Sequence, residues 1–251
     1  MSTSKQLIIN ADDFGLTPGV TAGILYAHQR GILTSTTAMV NTPFAKASLG
    51  EARSFPDLGI GLHFVLDAGR PISSNPKSLI GLNGCFLKGK ELMVSAEKQD
   101  IKEELLAQLE LLYEWNGTVT HIDSHHHMHL HIPAATEAVL EVAECFKLPV
   151  RSFSDTDFPG DTVTCDHFHY SFYGEEHVSA DHLTGIFANI ASGLTEVMCH
   201  PAFMDSWLGE ISSYNSPRMQ ELEILVNSKV KNSIRDNSLE LVHYGGVANE
   251  R

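Results

Sequence analysis

Positive charge is scarce in this chain: 17 Lys and Arg stand against 31 Asp and Glu, a formal net charge of -14. A surface of that sign repels phosphate backbones, which argues against DNA or RNA as a partner. Cysteine is scarce too. Cys85, Cys145, Cys165 and Cys199 form no C-x-x-C pair, so neither a disulfide framework nor a zinc knuckle is expected, and a reducing compartment fits. No apolar run approaches the ~18 residues that cross a bilayer. The first ten residues carry one lysine and a very short apolar run before Asp12 and Asp13, unlike a secretory leader. The expectation is a cytoplasmic protein with no membrane partner. A G-x-S-x-G elbow, a phosphate loop and a G-x-G-x-x-G turn are all missing, and no cysteine has an obvious partner base. Their absence argues against a serine or cysteine nucleophile and against nucleotide chemistry.

What remains is an ordinary globular composition, 43 % hydrophobic and 19 % charged over 251 residues, enough to bury a sizeable core in one domain spanning 1–251. Short apolar runs alternate with helical patterns. Strands are expected at Leu7–Ile9, Thr36–Val40, Leu58–Val65, Val119–Asp123, Val150–Phe153, Glu196–Cys199 and Leu239–Val242. Thr17 and Pro18 form a helix start and Gly31 a stop. Ile101, Leu105, Leu109 and Leu112 share one helix face closed by Gly117, and Pro133 and Pro217 open further helices. Residues 67–100 and 154–179 read as long surface loops. About seven strands joined by helical crossovers imply parallel pairing. The fold class is α/β, a (β/α) barrel that is incomplete or distorted, with an open doubly wound sheet as the alternative.

Fourteen histidines are an unusual number, and their placement carries more than their count. Asp12 and Asp13 end the first expected strand, His63 the third, Asp123 and His125 the fourth, His200 the sixth and His243 the last, while Arg151 lies in the fifth. In a parallel barrel these ends open on one face, where the active site lies. Singly, each has an ordinary explanation: Asp suits a strand-to-helix turn, and a strand-end histidine can be a packed one. Together they describe a site. Two adjacent carboxylates can divide the work, one holding a metal and the other accepting a proton. The segment His121–His131 places His121, Asp123, His125, His127, His129 and His131 on alternate positions. In extended chain they share one face, with Asp123 available to orient a histidine ligand from behind. An Asp with two His and open coordination positions makes a hydrolytic metal centre, and His200 is placed to supply a proton to a leaving nitrogen.

These residues resemble the YdjC-like carbohydrate deacetylase family. The resemblance runs through Leu7–Gly15, Gly31–Asn41, Gly61–Phe64, Thr120–His129, Phe172–Glu176 and Val197–Phe203, in order over most of the chain. The last two blocks are similar to the branch that acts on chitooligosaccharides. The resemblance implies a β/α barrel that hydrolyses the N-acetyl group of chitobiose and chitotriose, and it leaves room for a homodimer. It implies Asp13, His63 and His125 as metal ligands, Asp12 as the base and His200 as the acid. Arg151, His127 and Asp123 are expected to face the substrate or to stand behind the ligands. Magnesium is the metal implied by resemblance, whereas two imidazoles and a carboxylate suit zinc or another transition metal at least as well. Phe168, Tyr170, Phe172 and Tyr173 are available to stack on sugar rings or to pack the loop.

Overall fold

The computed structural model describes residues 4–153, 158 and 162–247. Seven strands, β1 (Lys5–Phe14), β2 (Ser35–Ala38), β3 (Gly59–Phe64), β4 (Ile122–Ser124), β5 (His167–His169), β6 (Gly193–Cys199) and β7 (Leu239–Leu241), form one sheet. All the pairings are parallel, in the order β4-β3-β2-β1-β6-β5. β1 is long enough to be shared on one side: β7 pairs with Lys5–Leu7, and β2 with the stretch from Asn10 onward. The sheet curls into a half-barrel, as the alternation of strands and helices implies. Its open edges, β4 and β5, are bridged only thinly. Val150 pairs with Ile122, and its N–H donates to the Val163 carbonyl at 2.9 Å.

Eleven helices connect the described strands: α1 (Pro18–Arg30), α2 (Ala45–Ala52), α3 (Gly89–Ser95), α4 (Lys98–Asn116), α5 (Met128–His131), α6 (Pro133–Phe146), α7 (Ala180–Ala188), α8 (Ser206–Ile211), α9 (Ser216–Leu225), α10 (Ser228–Asp236) and α11 (Tyr244–Val247). Thr17 caps α1 through its side chain, with Pro18 in the first turn. α4 ends at Gly117, whose φ of 82° is the left-handed conformation glycine adopts without strain. Its Ile101, Leu105, Leu109 and Leu112 are fully buried, each worth about 1.5–3 kcal/mol over exposure. The same helix anchors the 67–100 excursion. Glu104 accepts from the Ile72 N–H at 2.9 Å, the Ser73 N–H at 2.8 Å and the Ser73 hydroxyl at 2.6 Å. The excursion is therefore packed, with Leu79, Phe86 and Leu92 buried, and more ordered than a surface loop. Among the described residues, no helix is long and apolar enough to cross a membrane.

Three expectations need correction. Val150–Phe153 is a single bridge and not a strand. The edge strand there is β5, inside the stretch read as loop; 154–157 and 159–161 of that stretch lie outside the described residues. The chain 121–131 is extended only to Ser124, then turns into helix, which breaks the single histidine face. His243 sits beside Gly59, the first residue of β3, at the end of the barrel away from the other strand-end residues.

Candidate metal centre and catalytic cleft

The two neighbouring carboxylates reach the same cleft because β1 is irregular there. Its register with β2 shifts between Ala11 and Phe14, and Asp13 adopts φ 69°. Such a bulge re-aims side chains that a regular strand sends to opposite faces. Asp12 and Asp13 both line a cleft of about 920 Å³ at the C-terminal ends of the strands, yet each is almost fully buried.

Asp13 is the centre of a converging cluster. Its Oδ1 lies 3.3 Å from His63 Nε2 and 3.1 Å from His125 Nδ1, and the two ring nitrogens are 3.4 Å apart. Ligand atoms bound to one ion at about 2.0–2.2 Å stand about 3.0–3.5 Å from each other, so this triad fits a single divalent cation. Two of the three donors are aimed from behind. Arg218 Nη2 donates to Asp13 Oδ2 at 2.6 Å. His63 Nδ1 lies 2.7 Å from Asp123 Oδ1, and Thr37 donates to Asp123 Oδ2 at 2.9 Å. That leaves His63 Nε2 facing the cluster with its lone pair when Nδ1 carries the proton. Burial alone would lower the His63 pKa, but Asp123, Asp13 and Asp12 push it up to about 10. The surroundings thus demand positive charge at this point. Burial raises Asp13, but Arg218 and the two histidines hold it well below the usual carboxylate range.

Asp12 belongs to a second network. Arg151 Nη1 and Nη2 donate to its two oxygens at 2.8 and 2.7 Å. The same guanidinium reaches Asp123 Oδ2 at 2.8 Å and Glu196 Oε1 at 2.9 and 2.7 Å, so one cation is shared among three buried carboxyl groups. Tyr244 closes the far end, donating to Glu196 Oε2 at 2.5 Å. Burial raises the Asp12 pKa, but Arg151 outweighs it, and the carboxyl stays ionised far into acid. On the cleft side, His200 Nε2 is 4.0 Å from Asp12 Oδ2. Burial brings His200 down to about 4, with Asp12 opposing and Arg218 reinforcing the shift, so it is neutral at pH 7.

The histidine run fans out because His126 and His127 both take positive φ, 52° and 53°, a conformation that costs non-glycine residues energy and concentrates at functional sites. His125 points to Asp13. His126 turns to Asp67 Oδ2, 2.7 Å away, and His127 turns edge-on to Phe153 and Phe168. Of the three residues expected to face a substrate, only His127 lines the cleft. Arg151 and Asp123 are fully buried and act on Asp12 and His63 from behind. Sequence reasoning did not find Arg218, or Glu221, which accepts from the Tyr214 hydroxyl at 2.5 Å and from the His200 N–H. Arg218 sits in the first turn of α9 and Glu221 just past its middle, where no strand end marks them.

Fold and cleft together define a parallel α/β half-barrel with, at its mouth, a cluster of three donors that could hold a cation. The YdjC-like family model matches residues 6–236, and the chain belongs to that family. It is 42 % identical to a carbohydrate deacetylase of Geobacillus stearothermophilus over 241 residues, 96 % of this chain and 97 % of the relative. It is 36 % identical to a chitooligosaccharide deacetylase of Escherichia fergusonii over 252 residues, 96 % and 98 % of the two chains. Among solved structures, a protein of Enterococcus faecalis V583, provisionally named for cellobiose-phosphate cleavage, superposes with a TM-score of 0.92 at 33 % identity, covering 97 % of this chain and 99 % of that one. A family 4 carbohydrate esterase of Streptomyces lividans in complex with acetate shares the fold, with a TM-score of 0.53 at 11 % identity over 95 % and 92 % of the chains.

Proposed function

We propose that the protein is a metal-dependent carbohydrate deacetylase that hydrolyses the N-acetyl group of short N-acetylglucosamine oligosaccharides such as chitobiose and chitotriose, releasing acetate. One observation carries this reading: the Asp13–His63–His125 triad lies beside an ionised Asp12 that is within 4.0 Å of His200. The curated relatives, carbohydrate deacetylases by name, support the substrate class.

Asp13, His63 and His125 would hold the ion. A divalent cation there supplies Lewis acidity to an amide carbonyl and lowers the pKa of water. Two imidazoles and one carboxylate favour Zn²⁺ or a similar transition metal over Mg²⁺, which prefers oxygen donors. Asp12 takes the proton of the attacking water. Its clamp on Arg151 costs basicity and gives orientation, so one carboxylate edge stays directed at the cleft. His200, neutral at rest, carries the proton on to the sugar nitrogen as the C–N bond breaks. Acetate and a free amino sugar leave.

Acetate release from chitobiose, chitotriose and a panel of other acetylated sugars tests the reading. The proposal expects turnover of the N-acetylglucosamine oligosaccharides that disappears on chelation and returns with Zn²⁺ or another divalent ion. Release confined to a different acetylated sugar would redirect the substrate assignment, and no release from any would overturn it.

A further inference from the structure

A lone exposed aromatic is ordinary, but Phe203, Met204, Trp207 and Ile211 are all exposed within one short stretch, and such a patch beside a cleft marks a binding surface. Trp207, on α8, is 51 % exposed and lines the cleft, packed at 5.5 Å against Phe44. Its helix is tied down at the start. Asp205 caps α8 by accepting from the Leu208 N–H at 2.7 Å and also accepts from the Gly19 N–H of α1 at 2.5 Å. The 200–205 segment lies so close to α1 that a Cβ at Gly19 would meet the Phe203 carbonyl oxygen at 2.3 Å, and one at Gly23 would meet the Ala202 Cα at 2.5 Å. Trp207 is thus an exposed ring on a fixed mount.

The wall that includes Phe44 also carries unanswered acceptors. Asn41 commits its amide N–H groups to the Ala68 and Arg70 carbonyls at 2.8 and 3.2 Å. Asp67 commits one oxygen to His126. Asn41 Oδ1 and Asp67 Oδ1 are buried and have no partner among the described residues, and both residues line the cleft. Buried acceptors without donors are costly. Hydroxyl donors beside an aromatic face answer both features at once, and a pyranose ring carries both.

We infer that Trp207, backed by Phe44, with Asp67 and Asn41 as acceptors in the same cleft, forms a distal sugar subsite that binds the ring next to the one losing its acetyl group. This rests on the deacetylase reading and adds to it the residues that select oligosaccharide over monosaccharide. Trp207 stacks on the ring, and Asp67 and Asn41 turn their unpaired oxygens, covered in the free protein, toward its hydroxyl protons.

The test is steady-state kinetics on chitobiose with the full chain in Zn²⁺-supplemented buffer. Trp207→Ala is expected to raise KM about tenfold, the scale of losing one aromatic face, with kcat within about twofold, and Trp207→Phe is expected to restore most of the loss. Asp67→Ala is expected to raise KM in the same way. An unchanged KM in Trp207→Ala overturns the proposal, as does a fall in kcat alone. A change in sedimentation with KM unchanged would also overturn it and assign the ring to a protein contact instead. The chain has two tryptophans, so in a Trp115→Phe background Trp207 alone reports binding. Chitobiose is expected to shift its emission at concentrations where N-acetylglucosamine does not. This readout separates the two ideas: no acetate release in any variant defeats the deacetylase reading, whereas equal response of Trp207 to both sugars defeats the subsite.

Discussion

Arg151 grips Asp12 through two parallel hydrogen bonds of 2.8 and 2.7 Å, and neither residue has meaningful contact with solvent. A fork-to-fork pair of this kind fixes the plane of the carboxylate as well as its charge. It also ties the reacting edge of the cleft to the interior, because the same guanidinium holds Asp123, which in turn orients His63.

Replacing Asp12 with Asn keeps the shape and removes the proton acceptor. The expected result is a fall in kcat for acetate release of about 10²–10⁴-fold, with metal content unchanged, because both Asp12 oxygens are already taken by Arg151. Stopped acetate assays and metal analysis on the same preparation check both halves.

Arg151→Met leaves Asp12, Asp123 and Glu196 buried together without the guanidinium they share. Breaking a buried ionic cluster by removing one partner typically costs about 3–5 kcal/mol. Urea unfolding of the metal-free protein is expected to show a loss of that order, and the variant is expected to lose activity even where it remains folded.

Much of this was readable from residue order alone. Asp12, Asp13, His63, Asp123, His125 and His200 come at or just after the ends of apolar runs, and a parallel sheet gathers the residues at those ends on one face. The half-barrel followed from the same alternation. The features that escaped were set by long-range packing. Arg218 meets Asp13 across 205 positions and lies in the first turn of a helix, so no local pattern marks it. β5 is three residues long with histidine at both ends, too short and polar to stand out from a loop. The histidine run misled because alternation predicts a shared face only while the chain stays extended, and two left-handed residues end that after Ser124.

Stability should fall in mild acid for a reason that lies outside the carboxylates. His129 is fully buried, with Nδ1 2.5 Å from the Ser124 hydroxyl and Nε2 donating to the Arg151 carbonyl at 2.9 Å. Burial, opposed by the Arg151 carbonyl bond, brings its pKa from 6.5 to about 4. Between those values the unfolded chain binds a proton that the folded one refuses, so this stabilisation is intact above pH 6.5 and drains away as pH drops toward 4. Unfolding free energy measured across pH 7 to 4 is expected to decline, and His129→Gln is expected to flatten that decline.

Arg218→Ala frees Asp13 Oδ2 and removes the largest of the influences that hold the carboxylate ionised. Groups that orient a ligand from behind are typically worth about 10–100-fold in metal affinity. Competition with a fluorescent chelator is expected to show a loss in that range, with the fold, followed by circular dichroism, unchanged.

The proposed function rests on three donors, Asp13, His63 and His125, sharing one ion. Metal analysis of the purified wild-type protein and of Asp13→Ala, His63→Ala and His125→Ala, each paired with acetate release from chitobiose, tests that directly. One divalent ion per chain in the wild type, lost together with activity in all three variants, is the predicted result. Full metal content and undiminished turnover in any one of the three would contradict it.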